Sequence, residues 1–175
     1  ELRDAEREIS GIATGTKGHV RIGSVTGPAM DRVLPALRHA RLALPDVTAA
    51  VYVAPSGLLC EQLLQGRLDF VIGRLAPGES PDLYAIRMLE TEPVVLLVRR
   101  GHRLAGLPQI TPVDLLAFDW VMPAPDAVLG RTVGARLAAL GLPMPPQRLA
   151  TSSFLLTLAM MQQSNEIVFA PPAVW

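Results

Sequence analysis

The feature that most constrains the fold is a regular alternation of strand-like and helix-like segments between residues 18 and 73. Runs of β-branched residues predict strands, and apolar residues at helical spacing, after Pro28 or Ser56, predict helices. Strands are predicted at residues 19–25, 47–53 and 70–73, and helices at residues 27–44 and 56–65. Repetition of a strand–helix–strand order favours parallel strands joined by right-handed crossovers, and therefore an α/β fold.

A second set of the same signals follows along the chain. Thr111 and Asp114 have the spacing of a capping box, with Pro112 at the first helical position. Further strands are predicted at residues 84–90, 94–99, 118–122, 147–150 and 167–170, and helices after Thr111 and at residues 129–140 and 154–163. The sequence thus predicts two parallel-sheet α/β lobes, joined by strands near residues 92–98.

The turns at the ends of these strands are the expected place for a ligand. In parallel α/β sheets, ligands bind beyond the carboxyl ends of the strands. Helix N-termini closely follow those ends here, and their free N–H groups favour an anion, most simply a carboxylate. The turns concerned are residues 24–27, 54–56, 123–126 and 151–153.

Signatures of catalytic and metal sites are missing from the sequence. It contains no glycine-rich phosphate or dinucleotide loop, no nucleophile elbow and no His-Glu-x-x-His motif. His19, His39 and His102 lack a second histidine at metal-ligand spacing, and Cys60 lies in an apolar run that predicts a buried thiol. We therefore expect no cofactor, no metal and no enzymatic activity.

Charge and hydropathy limit the partners of the chain. Its 16 basic and 16 acidic residues balance, so this segment alone is expected to bind DNA poorly. No stretch approaches the ~18 apolar residues of a membrane helix, and the charged N-terminus is unlike a signal peptide. A single cysteine suits a reducing compartment. A cytoplasmic protein without membrane contact is predicted, and the absence of an initial Met suggests that an upstream part precedes Glu1.

Several short motifs, in order and at matching spacing, resemble the effector-binding domain of LysR-type transcriptional regulators. The most recognisable motif is LLQGRLD at residues 63–69, which continues into the strand at 70–72. Arg103 stands where the family usually has proline, and Asn165-Glu166 where it usually has a glycine pair. The other matching segments are residues 18–23, 34–35, 44–47, 92–96, 101–105 and 163–171.

The resemblance implies a two-lobed fold of the type II periplasmic-binding-protein kind, with a small-molecule effector, an organic acid, bound between the lobes. It also implies a helix-turn-helix DNA-binding domain before this chain, a homodimer or homotetramer, and later elements that complete the first lobe. The predicted division is a linker-helix end and linker at 1–17, an incomplete first lobe at 18–93 and an incomplete second lobe at 94–175.

Candidate effector-binding residues follow from the resemblance by position. The first lobe contributes Ser24 or Thr26, the N–H groups near Gly27, and Ser56 at the start of the second helix. The second lobe contributes Pro123, in the loop after Met122, and the turn Thr151, Ser152 and Ser153. Ser56 and Ser153 also fit plain helix N-caps, and Thr26 also fits a simple loop residue.

Two other functional classes stay open at this point. A solute-binding protein of a transport system shares the two-lobed architecture, but it would carry a signal peptide and lack an upstream helix-turn-helix. A small α/β enzyme would need a catalytic constellation that the sequence does not contain. Residues 1–10 have the charged pattern of a linker-helix end, which favours the regulator.

Overall fold

The computed structural model describes residues 15, 17–76, 78–91, 93–122, 128–145 and 147–170. The chain divides into two compact units, Glu1–Ala76 and Pro77–Trp175, called unit 1 and unit 2 below. The predicted linker-helix end at residues 1–10 and the candidate residue Pro123 lie outside the described residues.

Unit 1 is a three-stranded parallel sheet with helical connections, as the strand–helix alternation predicts. The strands lie in the order β2-β1-β3, and β1 pairs in parallel with both neighbours. A continuous helical segment with a π-helical stretch, Ala29–Val33, joins β1 to β2. The elements are β1 (Lys17–Ser24), α1 (Thr26–Pro28), α2 (Leu34–Ala43), β2 (Asp46–Val53), α3 (Ser56–Leu64) and β3 (Phe70–Ile72).

Gly23 allows α3 to pack closely on the centre of this sheet. A Cβ at Gly23 would lie 2.7 Å from Leu68 Cδ1 and 3.0 Å from both Leu59 Cδ2 and Val71 Cγ2. Leu59 and Leu68 are both buried, so their methyl groups fill the space that a side chain on β1 would need. The core of unit 1 therefore rests directly on the backbone of β1.

Gly66 forms the turn that follows α3. Gly66 adopts a φ of 67°, and its N–H donates to the Leu63 carbonyl at 3.0 Å. The Arg67 N–H donates to the Gln62 carbonyl at 2.9 Å. This pair of bonds is a Schellman motif, in which glycine accommodates the left-handed backbone at little cost.

Asp69 then fixes the start of β3 beside β1. Its N–H donates to the Arg21 carbonyl at 2.8 Å, and its carboxylate accepts from the Arg21 N–H and from Arg21 Nη2, both at 2.6 Å. The guanidinium and the backbone N–H of Arg21 hold the pKa of Asp69 below its ordinary value. Asp69 therefore has a structural role at the amino end of β3.

Unit 2 is a four-stranded mixed sheet with the strand order β4-β7-β5-β6. Strand β5 pairs in parallel with β6 and β7, and β4 pairs antiparallel with β7 at the edge. The elements are β4 (Val95–Leu97), α4 (Pro112–Leu115), β5 (Trp120–Met122), α5 (Val128–Ala139), β6 (Gln147–Ala150), α6 (Phe154–Gln163) and β7 (Ile167–Ala170), with 3-10 turns at Pro81–Leu83 and Arg103–Gly106.

The core of unit 2 forms around Trp120. Its ring packs against Phe169 with the centroids 4.8 Å apart, and Nε1 donates to the Leu115 carbonyl at 3.1 Å. Leu115 ends α4, whose start is held by the predicted capping box of Thr111 and Asp114. The Thr111 hydroxyl and N–H lower the pKa of Asp114, as expected for a capping carboxylate.

The predicted strand at residues 84–90 is wrong. Residues 84–91 form no regular secondary structure, and Met88 is 84% exposed. No strand in the described ranges pairs with this segment. Without a neighbouring strand it gains no ladder hydrogen bonds, so local propensity alone does not make it a strand.

Candidate functional site

The carboxyl ends of the unit 1 strands bring the first set of candidate residues together. Ser24 ends β1 and pairs with Val53 on one side and Ile72 on the other. Beyond the sheet, the Ala54 N–H donates to the Ser24 carbonyl at 3.2 Å, and the Val25 N–H donates to the Ile72 carbonyl at 3.1 Å. The turns that follow all three strands therefore meet at one edge of the sheet.

Two helix N-termini open at this edge without a side-chain cap. The N-cap residues are Val25 for α1 and Pro55 for α3, and neither side chain carries a hydrogen-bond acceptor. The prediction that Ser56 is an N-cap is wrong, because Ser56 is the first residue of α3. Pro55 takes the cap position with φ −60° and ψ 149°, which suits the fixed φ of proline.

The first turn of α3 offers three backbone donors. The first intrahelical bond runs from the Leu59 N–H to the Pro55 carbonyl at 3.2 Å. The N–H groups of Ser56, Gly57 and Leu58 precede that bond, so they have no intrahelical acceptor. They are available to a ligand or to water, and the helix dipole favours a negative charge there.

The α1 N-terminus is smaller. The Ala29 N–H donates to the Val25 carbonyl at 3.0 Å and closes the first turn. The N–H groups of Thr26 and Gly27 precede that bond, whereas Pro28 has no N–H to offer. Gly27 is buried and Thr26 is half-buried.

Two hydroxyl groups, those of Ser24 and Ser56, belong to the same edge of the sheet. Ser24 is fully buried, and its Oγ donates to the neighbouring Val25 carbonyl at 2.9 Å. Ser56 is 7% exposed, and within the described residues its hydroxyl makes no hydrogen bond. A buried hydroxyl without a partner costs free energy of about 1–3 kcal/mol, which a ligand acceptor would recover.

Gly73 borders the same place and was not singled out by the sequence. It follows β3 directly, is exposed, and a Cβ on it would lie 3.6 Å from Ser56 Oγ and 3.3 Å from Val25 Cγ1. The only sequence signal is a glycine at the end of the strand predicted at residues 70–73, which indicates a turn as readily as a site.

In unit 2, two of the three candidate hydroxyls accept hydrogen bonds from nearby backbone N–H groups. Thr151 Oγ1 accepts from the Ser153 N–H at 3.0 Å, and Ser153 Oγ accepts from the Leu156 N–H at 3.3 Å. Ser153 is thus the N-cap of α6, as one of the two sequence alternatives predicts. Ser152 lies exposed between them, and its hydroxyl makes no hydrogen bond in the part of the chain described.

The structure therefore groups Ser24, Thr26, Gly27 and Ser56 in unit 1, and Thr151, Ser152 and Ser153 in unit 2. The two groups differ in how their helix ends are satisfied. At α6 the protein supplies its own cap, whereas at α3 it supplies a proline and leaves three N–H groups open. The unit 1 group is therefore the one beside open backbone donors.

The histidines offer no competing site. His102 Nδ1 accepts from the Leu104 N–H at 3.1 Å, so Nε2 carries the proton that is donated to the Asn165 carbonyl at 3.0 Å. Its ring packs on Phe118 with a centroid distance of 4.5 Å. His19 Nδ1 contacts Thr48 Oγ1 at 2.8 Å on the surface. Among the described residues, no three His, Cys, Asp or Glu side chains cluster closely enough to hold a metal ion.

Comparison with protein families settles what kind of domain this is. The family model of the LysR substrate binding domain matches residues 13–174. The chain belongs to this family. This LysR domain is 39% identical over 167 residues to the HTH-type transcriptional regulator GbpR of Rhizobium radiobacter, a match that covers 95% of this chain and 55% of that protein. It is 30% identical over 168 residues to the HTH-type transcriptional regulator PcaQ of Agrobacterium fabrum, covering 95% of this chain and 53% of that protein.

The fold of the LysR domain is also that of solved effector-binding domains. The effector-binding domain of QuiR in complex with shikimate superposes with a TM-score of 0.74 at 14% identity, covering 89% of this chain and 74% of that one. The BenM effector-binding domain with its effector benzoate superposes with a TM-score of 0.68 at 21% identity, covering 89% and 71%.

The LysR domain spans about half the length of the curated relatives that it matches. In the described ranges, no helix combines the length and the apolar character needed to cross a bilayer.

Proposed function

We propose that this LysR domain is the effector-sensing part of a transcriptional regulator, and that it binds a small carboxylate without chemical conversion. The observation that carries the proposal is the edge of unit 1, where α3 follows an N-cap proline and begins at Ser56, whose buried hydroxyl has no hydrogen-bond partner among the described residues. The first N–H groups of α3 can only donate and the Ser56 hydroxyl can also donate, so an acceptor satisfies them all. A carboxylate presents two acceptor oxygens and the negative charge that the helix end favours.

The expected preference for a carboxylate over a neutral ligand follows from the number of donors at the site. Hydrogen bonds to a charged group contribute about 1.5–3 kcal/mol each, compared with about 1 kcal/mol between neutral groups. The site offers the Ser56 hydroxyl together with the first N–H groups of α3, and Ser24, Thr26 and Gly27 lie beside them. The difference over two such bonds, about 1–4 kcal/mol, selects an acid over its ester or amide by roughly fivefold or more, since about 1.4 kcal/mol corresponds to a factor of ten.

Unit 2 offers its own group of candidate residues in this proposal. Pro123 and the Thr151, Ser152 and Ser153 turn are the predicted residues, and within the described residues the Ser152 hydroxyl makes no hydrogen bond. An effector that binds one conformational state of the domain better than another shifts the population towards that state. The QuiR and BenM domains of the same fold carry shikimate and benzoate, which supports a small organic acid as the effector.

In the whole protein, the signal is passed to DNA through a helix-turn-helix domain outside this chain, within a cytoplasmic homodimer or homotetramer. The relatives are named as HTH-type regulators, and the LysR domain of the same fold in full-length CbnR, at a TM-score of 0.72, belongs to a protein solved in complex with its target DNA. The balanced charge of this chain agrees with DNA contact made elsewhere. The same relatives favour a regulator over a transport protein and over an enzyme.

A thermal-shift screen of the full-length protein against small carboxylates tests the proposal. A ligand that binds only the folded state raises the melting temperature by mass action. The shift is expected to fall in Ser56→Ala and to persist in Ser80→Ala, because Ser80 is an exposed serine whose side chain caps nothing. Equal shifts in both variants would remove Ser56 from the site.

A further inference from the structure

Gly73 lies beside Ser56 at the unit 1 edge. It is the residue after β3, it is exposed, and it stands between the N-cap of α1 and the first residue of α3. A methyl group at this position would lie 3.3 Å from Val25 Cγ1 and 3.6 Å from Ser56 Oγ. The first distance is a tight contact and the second an ordinary van der Waals contact.

The backbone does not explain the glycine. Gly73 is absent from the described glycines with a positive φ, which include Gly66 and Gly101. Its conformation is therefore one that alanine adopts without strain.

Core packing does not explain it either. At Gly23, a Cβ would lie 2.7 Å from a buried leucine methyl, so the fold itself excludes a side chain there. At Gly73 the nearest contact is 3.3 Å, which a small movement of the half-buried Val25 side chain relieves. The folded chain thus has room for alanine at residue 73 but not at residue 23.

A methyl group at residue 73 would compete with a ligand for the space beside Ser56. An acceptor that bonds to the Ser56 hydroxyl lies about 2.8 Å from its oxygen. A carbon atom 3.6 Å from the same oxygen takes up part of the space around it, so an acceptor that approaches from that side would contact the methyl group.

We propose that Gly73 is a specificity-determining residue of the effector site: the missing side chain keeps open the approach to Ser56 and limits the size of the group beside the carboxylate. This proposal rests on the proposed function of the unit 1 edge. It predicts that the Gly73→Ala protein folds normally but binds carboxylates more weakly, and that the loss grows with the bulk attached to the carboxylate.

Isothermal titration of the full-length protein with acetate, benzoate and shikimate tests this proposal. Gly73→Ala is expected to weaken binding of the bulkier probes by roughly tenfold or more, the effect of losing one charge-assisted hydrogen bond, and to weaken acetate less. Gly106→Ala is the matched control, because a Cβ at Gly106 meets nothing within 4 Å and the residue lies in unit 2. The melting temperatures of both variants report on folding.

The outcomes separate the two proposals. Weakened binding in Gly73→Ala, with Gly106→Ala unchanged and both melting temperatures kept, supports the role of Gly73. Unchanged affinity in Gly73→Ala, combined with weakened binding in Ser56→Ala, overturns the role of Gly73 and leaves the site in place. If the wild-type protein binds none of the three carboxylates, the carboxylate site and the Gly73 proposal fall together.

Discussion

Replacing Gly23 with alanine is expected to destabilise unit 1 measurably. The new Cβ would lie 2.7 Å from Leu68 Cδ1 and 3.0 Å from both Leu59 Cδ2 and Val71 Cγ2, well inside normal contact distance. Leu59 and Leu68 are buried, so relief requires strained rotamers or a shift of α3 away from the sheet. Overpacking of this kind costs about 1–3 kcal/mol.

A gain in backbone entropy partly offsets that cost. Alanine restricts the unfolded chain more than glycine does, which contributes about 0.4–1 kcal/mol of stability at a compatible position. The net loss at Gly23 is therefore expected to be about 1–2 kcal/mol. The control is Gly57→Ala in the first turn of α3, where a Cβ meets nothing within 4 Å and a change of zero or a small gain is expected.

Urea unfolding followed by circular dichroism measures both variants. The double variant with Leu68→Val shortens the side chain nearest the new methyl group, so Gly23→Ala is expected to cost less in that background than alone. If Gly23→Ala is as stable as the wild-type protein, or if its cost is the same in both backgrounds, the close packing of α3 on β1 is not what fixes glycine at this position.

Three further predictions concern particular contacts. Because the folded pKa of Asp69 is lowered by Arg21, the contact stabilises the fold above the unfolded pKa of about 3.9 and its contribution is lost as pH falls through the folded pKa. The stability difference between wild type and Asp69→Asn should therefore shrink on acid titration, and a difference independent of pH would contradict the pair. Ser153→Ala removes the cap of α6 and is expected to cost about 1 kcal/mol, whereas Ser152→Ala should leave the unfolding free energy unchanged; equal effects in urea unfolding would refute the cap assignment. Ser56→Ala removes a buried hydroxyl that has no hydrogen-bond partner among the described residues, so the variant's melting temperature without ligand should equal or exceed that of the wild type, and a clear drop would reveal an internal bond.

Much of the fold follows from the sequence because its signals are local and agree with one another. The alternation of strand and helix predicts parallel pairing, and both β1 neighbours are parallel. The strands at Gln147–Ala150 and Ile167–Ala170 fall where predicted, and the second is an apolar run between the polar residues 164–166 and a proline. The segment at residues 84–90 has the same local pattern but no pairing strand in the described ranges, and pairing is a long-range property that local propensity does not carry.

The sequence predicts where the candidate site lies, but not how its residues are arranged around Ser56. Parallel topology sends the ends of β1 and β2 to one edge, so Ser24 and Ser56 are brought near one another as expected. Ser56 would be the N-cap if α3 began one residue later, but Pro55 occupies the N-cap position instead. The position of Gly73 beside Ser56 depends on the packing of β3 against β1, which the sequence does not reveal.

The most direct test of the account is an amide-resonance titration of the full-length protein with benzoate and shikimate. The α3 N-terminus is expected to receive the carboxylate, so saturable shifts should appear at the N–H groups of Ser56, Gly57 and Leu58 and be reduced in Ser56→Ala. The amide of Ser80, whose side chain caps nothing, serves as the internal reference. Saturable shifts confined to other residues, or no shifts at millimolar ligand, would contradict a carboxylate site at the edge of unit 1.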